Sequence, residues 1–362
     1  MDVFFAYRDA PERRAALAAH PGALERYRLF GLDELAARGA RVRHNLERRA
    51  PSSAVTLPSK AINAALYRAG GYGGDFATVL SSLRAANAAD VILSTVDTVG
   101  LPLALLKRGG IVRTPIVYIS IGLRERLEQL RGNRMRALYR SALRGCRALV
   151  AYGAEEVERL RAWLGDGAPP VHFIRFGVNV EGFRPVDVKP EVDVLSVGVD
   201  PRRDFPLLLE IAKRRSELRF RLVAGSENAR LLGDLPGNVE VETDLPLEQV
   251  RERFASARLV ALPVRDNTYS GATTTLLQAM AMAKAVVVSR TAAIATGYEL
   301  RDGVNCRLVP PGDVDAFESA VVQTLTGADA ATALGTRARQ TVERSLSWTR
   351  YVDALWEILS AS

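Results

Sequence analysis

Short runs of Val, Ile and Leu alternate with stretches of helical spacing along nearly the whole chain. In the first half, VFFAY (3–7), DVILST (90–95), PIVYISI (115–121), ALVAYG (148–153) and VHFIRFG (171–177) read as buried strands. Between them the spacing predicts helices over about Gly22–Arg38, stopped by Gly39, and over Val99–Lys107, Met135–Arg144 and Ala154–Leu164. Apolar runs without alternation, separated by helices, describe strands buried on both faces, hence βαβ units and a parallel sheet. The stretch GVNVEGFRPVDVKPEVD (177–193) holds two prolines and little apolar content and reads as a linker. The alternation then restarts with VDVLSVG (192–198), RFRLVAG (219–225), NVEVET (238–243), RLVALPV (258–264), AVVVSR (285–290) and NCRLVP (305–310). A last helix, Trp348–Leu359, places Trp348, Tyr351, Val352, Leu355, Trp356 and Leu359 at helical spacing.

Two doubly wound α/β domains in tandem are therefore expected, as a length of 362 residues also favours. Ligands of open parallel sheets bind outside the carboxyl ends of the strands, so the strand-to-helix loops are where chemistry is sought.

Composition narrows the picture. With 48% hydrophobic and 25% charged residues the chain is an ordinary globular one. No apolar run reaches the roughly 18–20 residues of a membrane span. The N-terminal MDVFFAYRDA lacks a basic region and a long apolar segment, so no secretory signal is read and a cytoplasmic location is expected. Cys146 and Cys306 stand alone, and His20, His44 and His172 are far apart, so no disulfide framework and no metal-ligand spacing is legible. The net charge of +8 is uneven: residues 1–175 hold 27 basic and 16 acidic residues, residues 176–362 hold 22 and 25. Only five of the 49 basic residues are Lys, a coding habit that would touch both halves alike and leaves the asymmetry to be explained. Nucleic-acid binding is disfavoured, because the basic half shows no recognisable module and no interleaved surface aromatics.

Several loops carry candidate chemistry. In PVRDNTYSGATTTLLQAMAMAKAVVVS (263–289) a strand ends near Val264 and a helix starts near Ala272, which puts Ser270, Gly271, Thr273 and Thr274 at the helix N-terminus. Unsatisfied N–H groups and a positive dipole end fit a diphosphate there, while Ser and Thr are also ordinary caps, and both readings stand. Gln278 falls about two turns further on, near the same face. In DVLSVGVDPRRDFPLLLEIAK (193–213), Gly198 precedes a loop with Arg202 and Arg203, a surface pair or a phosphate fork. In PPGDVDAF, Asp313 reads as a helix cap rather than part of a metal-binding D-x-D. Asp75 of YGGD (72–75) likewise reads as a cap. The Arg-rich tract 124–147 reads first as a solvated helix face with Met135, Leu138, Ala142 and Leu143 turned to the core; anionic lipid or an acidic acceptor is the alternative.

Taken in order, these segments resemble the GT-B-fold glycosyltransferases, in particular the large retaining group called family 4 (glycosyl transferases group 1). LSVGVDPRRDFPLLLEIA (195–212) is similar to its glycine–basic donor loop, and SGATTTLLQAMAMAKAVVVS (270–289) to its E-x7-E region and the A-M-A-x-G-x-P-V-V pattern after it. YELRDGVNCRLVPPGDVDAF (298–317) resembles its E-L-x-x-D-G-x-N-G-x-L-V-P-P-G-D segment, FIRFGVNVEGFRP (173–185) its interdomain segment, and SWTRYVDALWEIL (347–359) its last helix. NVEVETDLPLEQVRERFASARLVALPV (238–264) matches its intervening helix and strand. The resemblance covers residues 170–362 and is weak in the N-terminal half.

The resemblance implies two Rossmann-like parallel-sheet domains facing a central cleft. An acceptor-side domain would span 1–178 and a donor-binding domain 179–345, with the helix 346–362 packed back on the first. It implies retaining transfer of a sugar from a nucleotide-sugar donor, by front-face attack with the departing phosphate helping to take the acceptor proton, without a metal or other cofactor. Gly198, Arg202, Arg203, Ser270, Gly271, Ala272, Thr273 and Thr274 would hold the diphosphate and Gln278 the ribose. Ser270, with Asp97 and Ser120 across the cleft, would be the catalytic candidates, and Gly22 and Asp97 would lie on the acceptor side. Several positions depart from the pattern: Ser270 and Gln278 replace both glutamates of E-x7-E, Val199 stands for an Arg, Ala283 for a Gly, Ala285 for a Pro and Cys306 for a Gly, while Ser120 lies where a His is usual. The basic N-terminal half implies an acidic, glycan, glycolipid or small-metabolite acceptor and peripheral contact with the inner face of the membrane. The alternatives are a GT-B-fold sugar-nucleotide epimerase or hydrolase and a non-catalytic sugar-nucleotide-binding protein.

Overall fold

The computed structural model describes residues 1–47, 52–267 and 271–361. They form two compact units, Met1–Ile174 together with Val352–Ser362, and Arg175–Tyr351. The sequence drew the corresponding divisions at 178/179 and 345/346.

The first unit is built on β1 (Asp2–Ala6), β2 (Arg41–His44), β3 (Val91–Ser94), β4 (Ile116–Ile119), β5 (Ala148–Ala151) and β6 (Val171–Phe173), all parallel, in the order β2-β1-β3-β4-β5-β6. Every residue of β3, β4 and β5 is buried, which is why these strands read as unbroken apolar runs. Phe4, Ile92, Tyr118 and Leu149 share one core with Phe76, Val99, Tyr139 and Leu143 of the covering helices. Each such side chain contributes about 1.5–3 kcal/mol by burial. Ala142 and Leu143 of the helix Gly132–Arg144 are buried, with Met135 and Leu138 packed against the same core, as the stripe predicted.

The second unit holds β7 (Val192–Gly198), β8 (Phe220–Ala224), β9 (Val239–Thr243), β10 (Ala257–Leu262), β11 (Ala285–Ser289) and β12 (Arg307–Val309) in a second all-parallel sheet, ordered β12-β11-β10-β7-β8-β9. Val194, Leu222, Leu259 and Val287 pack under Leu208 and Ile211 of the helix Phe205–Arg214 and Phe317 and Val321 of Val314–Thr326. Asp75 and Asp313 cap their helices, accepting the N–H groups of Thr78 and Ala316 at 2.9 Å each.

Three local features differ from the sequence reading. The helix expected over Gly22–Arg38 is a 3-10 helix, Leu24–Leu29, and an α-helix, Leu32–Ala37, separated by Phe30 and Gly31 at φ 55° and 88°. The Tyr7 hydroxyl donates to the Leu29 carbonyl at 2.6 Å and pins this break. Strand β2, sequence RVRH, escapes a hydrophobic scan because it is an edge strand with its first residue exposed. The helix Ser53–Arg68 escapes it too: only Ser59 is buried and Pro58 lies inside.

The C-terminal residues join the first unit through Arg147 and Arg38. Arg147 Nη2 donates to the carbonyls of Ile358 (2.9 Å), Leu359 (3.1 Å) and Ala361, the orphan acceptors of the helix Trp348–Ser360. Arg38 pairs with Asp353 at 2.5 Å.

Ala283, where the resembled pattern has Gly, sits at φ 54° just past the helix Thr273–Ala281. An L side chain in this region costs about 1–2 kcal/mol, partly offset by glycine's greater backbone entropy. Ala283→Gly is therefore expected to stabilise the second unit by about 0.5–1 kcal/mol. Calorimetry checks this: an unfolding midpoint that stays level or falls contradicts it.

Candidate functional site

Both sheets reverse their direction of winding at one pair of neighbouring strands, β1 and β3 in the first unit and β7 and β10 in the second. At such points the following loops diverge and leave a crevice outside the strand ends.

In the second unit Gly198 is the last residue of β7, and Arg203, only 4% exposed, folds back over it. A Cβ on Gly198 would lie 2.0 Å from Arg203 Nε, so only glycine admits the guanidinium here. The loop is fastened to the carboxyl end of β10. Arg203 bridges Val264, the Asp204 N–H donates to the Pro263 carbonyl (3.0 Å), and the Arg265 N–H donates to the Arg202 carbonyl (2.9 Å). Arg202 itself is exposed, and its N–H donates to Asp200 Oδ1 at 2.7 Å. Val199 stands 74% exposed beside them.

From β10 the chain runs through Gly271 into the helix Thr273–Ala281, for which Ala272 is the N-cap. Ser270 lies outside the described residues. Among the described residues no side chain caps this helix. Thr273 is buried, and its Oγ1 has no hydrogen-bond partner among the described residues. Thr274 is half-buried and Gln278 buried.

In the first unit, Asp97 opens the helix Asp97–Arg108 after β3 and is wholly buried. Its Oδ1 accepts the Tyr118 hydroxyl (3.0 Å) and the Ile121 N–H (3.4 Å), and its Oδ2 faces Arg126 Nε at 3.4 Å. Ser120, past the end of β4, donates its hydroxyl to Glu156 Oε1 at 2.5 Å and its N–H to the Val150 carbonyl at 2.8 Å. Burial pushes Asp97 up to about 7 and Glu156 up to about 8, against the pull of Arg126 on the first and Ser120 on the second. Arg126 also donates to the Tyr72 hydroxyl and lies 4.5 Å from its ring centroid. Asp97 and Ser120 are thus brought to adjacent strand ends, and both are buried.

Gly22 is elsewhere. The loop after β1 begins at Tyr7, and Gly22 is an exposed turn residue at φ 90° beyond the helix Pro11–Ala18. Sequence reasoning missed Glu156 because an acidic residue in a first helical turn is ordinary, and Arg126 because it sits in an Arg-rich tract. In the second unit Glu299 is held by Arg344 (2.7 Å) and Arg175 (3.5 Å), which keep its carboxyl below the usual range. Among the described residues no three His, Cys, Asp or Glu side chains gather as a metal site, and no helix is long and apolar enough to cross a membrane.

This architecture is shared with solved structures along the whole chain. Sucrose-phosphate synthase from Thermosynechococcus elongatus is similar at a TM-score of 0.75 and 16% identity, over 99% of this chain and 98% of that one. Anabaena HepE, solved with UDP and glucose, gives a TM-score of 0.69 at 14% identity over 100% and 99%. A glycosyltransferase from Rickettsia africae gives 0.63 at 13% over 100% and 99%. At these identities the likeness defines the fold, which is GT-B. Residues 193–327 match the family model described as glycosyl transferases group 1, in agreement with the resemblance read from the motifs. The matched stretch lies within the second unit, which thus carries a glycosyl transferases group 1 domain. A search of curated proteins finds no relative.

The buried carboxyls make a pH prediction. Asp97 and Glu156 bind protons more tightly folded than unfolded, so above their ordinary values of 3.8 and 4.5 each loses stabilising free energy as pH rises toward about 7 and about 8. His44 and His172, pushed down by burial, act in the opposite sense only below their ordinary value of 6.5. Between about pH 6.5 and 8 the unfolding free energy is therefore expected to fall, and Glu156→Gln is expected to flatten that slope. Denaturant titrations at both pH values would refute this by giving the two proteins equal slopes.

Proposed function

We propose that the protein transfers a sugar from a nucleotide-sugar donor, with retention of configuration and without a metal, and that the second unit holds the donor at the β7/β10 switch point. The observation that carries this reading is Arg203, buried against Gly198 and fastened to the carboxyl end of β10 in a glycosyl transferases group 1 domain. As the glycosidic bond breaks, negative charge grows on the leaving diphosphate. A fixed guanidinium and the uncapped N–H groups at Thr273 stabilise that charge without reorganising. They supply the positive charge that a metal supplies in other phosphate sites. The Thr273 hydroxyl adds a donor at the same end. Gln278, about one and a half turns along, offers an amide to the ribose hydroxyls and keeps that contact free of charge. HepE, of the same fold, has been solved with UDP-glucose, which supports a nucleotide-sugar donor.

Thermal unfolding with UDP, GDP, ADP and dTDP tests the reading. The matching nucleotide at a hundredfold excess over its Kd is expected to stabilise by about 2.7 kcal/mol. Arg203→Gln is expected to weaken it ten- to hundredfold, the worth of about 1.5–3 kcal/mol for a bond to a charged group. Gly198→Ala is expected to do the same by displacing the guanidinium. No shift from any nucleotide sinks the proposal, and saturable binding without donor turnover over a broad acceptor panel makes this a binding protein rather than a transferase.

A further inference from the structure

We propose that the carboxyl ends of β1, β3 and β4 form an arginine-lined site for an oxyanion, the phosphate or carboxylate group of an acidic acceptor. The inference rests on the glycosyl-transfer reading for the word acceptor; the site itself rests on the first unit alone.

Charge locates it first. The first unit carries 26 basic and 18 acidic residues and the second 23 of each, so the whole surplus belongs to the first. Within that unit, three arginines gather where β1 ends. The Arg13 guanidinium carbon lies 5.9 Å from the Tyr7 ring centroid and 5.8 Å from that of Phe30, and Arg13 Nη1 donates to the Arg8 carbonyl at 3.0 Å. Arg28 lies close enough to repel Arg13, as Arg8 does. The adjacent carboxylates are already engaged: Asp9 pairs with Arg14 at 2.6 Å, and Asp33 takes the Arg26 fork. Among the described residues no carboxylate stands within ion-pair distance of Arg8, Arg13 or Arg28. Glu12 attracts Arg13 from further off.

The band continues across the switch point. β1, β3 and β4 are neighbours in the sheet, so the segments that follow them, with Arg8 after β1, Asp97 after β3 and Arg126 after β4, lie along one stretch of strand ends. Arg126 keeps 29% of its side chain exposed, with the Tyr72 ring on one side and buried Asp97 behind it. Asp97 is thereby a positioning residue: its carboxylate aims the guanidinium and is itself out of a ligand's reach. A half-buried cation held by aromatic faces and a carbonyl, as Arg13 is, loses part of its hydration, and a docked anion offsets that loss. Guanidinium forks recognise the paired oxygens of phosphate and carboxylate. The position is the one an open parallel sheet reserves for a ligand.

The test uses the full chain with UDP saturating the second unit, titrated with inorganic phosphate at constant ionic strength. Saturable binding is expected. Arg13→Gln and Arg8→Gln are each expected to weaken it about tenfold or more, as loss of a charged hydrogen bond does. Arg8 is exposed, so its variant keeps the fold. Arg13→Lys, which keeps charge and loses the fork, is expected to fall between Arg13→Gln and the unmodified protein. Failure of every nucleotide to bind removes the functional reading alone, because phosphate titrated without nucleotide into the unmodified protein, Arg8→Gln and Arg13→Gln still reports this site. Competition by glucose 6-phosphate assigns the anion to a soluble acceptor, and competition by phosphatidylglycerol vesicles, with phosphatidylcholine as control, to a lipid headgroup. Equal phosphate binding in Arg8→Gln, Arg13→Gln and the unmodified protein, or competition by neither acceptor class, overturns the proposal.

Discussion

Both switch points descend from a constraint on parallel sheets. Crossovers between parallel strands are right-handed, so a sheet that grows in both directions from one strand pair sends the loops of that pair to opposite faces. In the second unit the pair is β7 and β10, and the loop after β7 closes over the end of β10 through the Arg203–Val264 bridge. In the first unit it is β1 and β3, and the Tyr7–Ala10 loop and the Asp97 helix start part in the same way. Side-chain identity decides what each crevice attracts, and the winding decides where it opens.

The two units handle charge by different means. The second is electrically balanced and sets one buried guanidinium, that of Arg203, at the end of β7. The first uses several partly exposed arginines and sets two carboxyls, Asp97 and Glu156, deep behind the strand ends. Those carboxyls hold Tyr118, Ile121, Ser120 and Arg126 through hydrogen bonds, and burial raises their proton affinity toward neutrality. Strand ends fastened from behind in this way are held in place by the fold itself.

Much of this was legible in the residues. Strands buried on both faces leave continuous apolar runs, so ten of the twelve-strand pattern's members with Val- and Ile-rich sequences were visible, as was the edge strand β9. The polar edge strand β2 was not, because nothing but its pairing with β1 marks it. The Gly22–Arg38 helix misled because Leu24, Leu29, Leu32 and Leu35 are buried as a helical face would bury them, although the backbone turns at Phe30 and Gly31. In the second unit the glycine–arginine spacing of 198–203 carried real geometric content, since the missing Cβ is what admits the guanidinium. In the first unit the composition showed a charge surplus but not its seat. Which of many arginines lack carboxylate partners depends on contacts such as Asp9–Arg14 and Asp33–Arg26 that only the fold defines.

The tie between Arg147 and the last carbonyls has a bearing on how the chain is made. The first unit needs Val352–Ser362, which leave the ribosome after the entire second unit has been synthesised. The second unit is continuous in sequence and reaches its full complement earlier, although it is encoded later than most of the first. Until those residues emerge, Arg147 and the groove around Gly31 that receives Val352 stay uncovered, and a chain that lacks them leaves that seam open to solvent, chaperones and proteases.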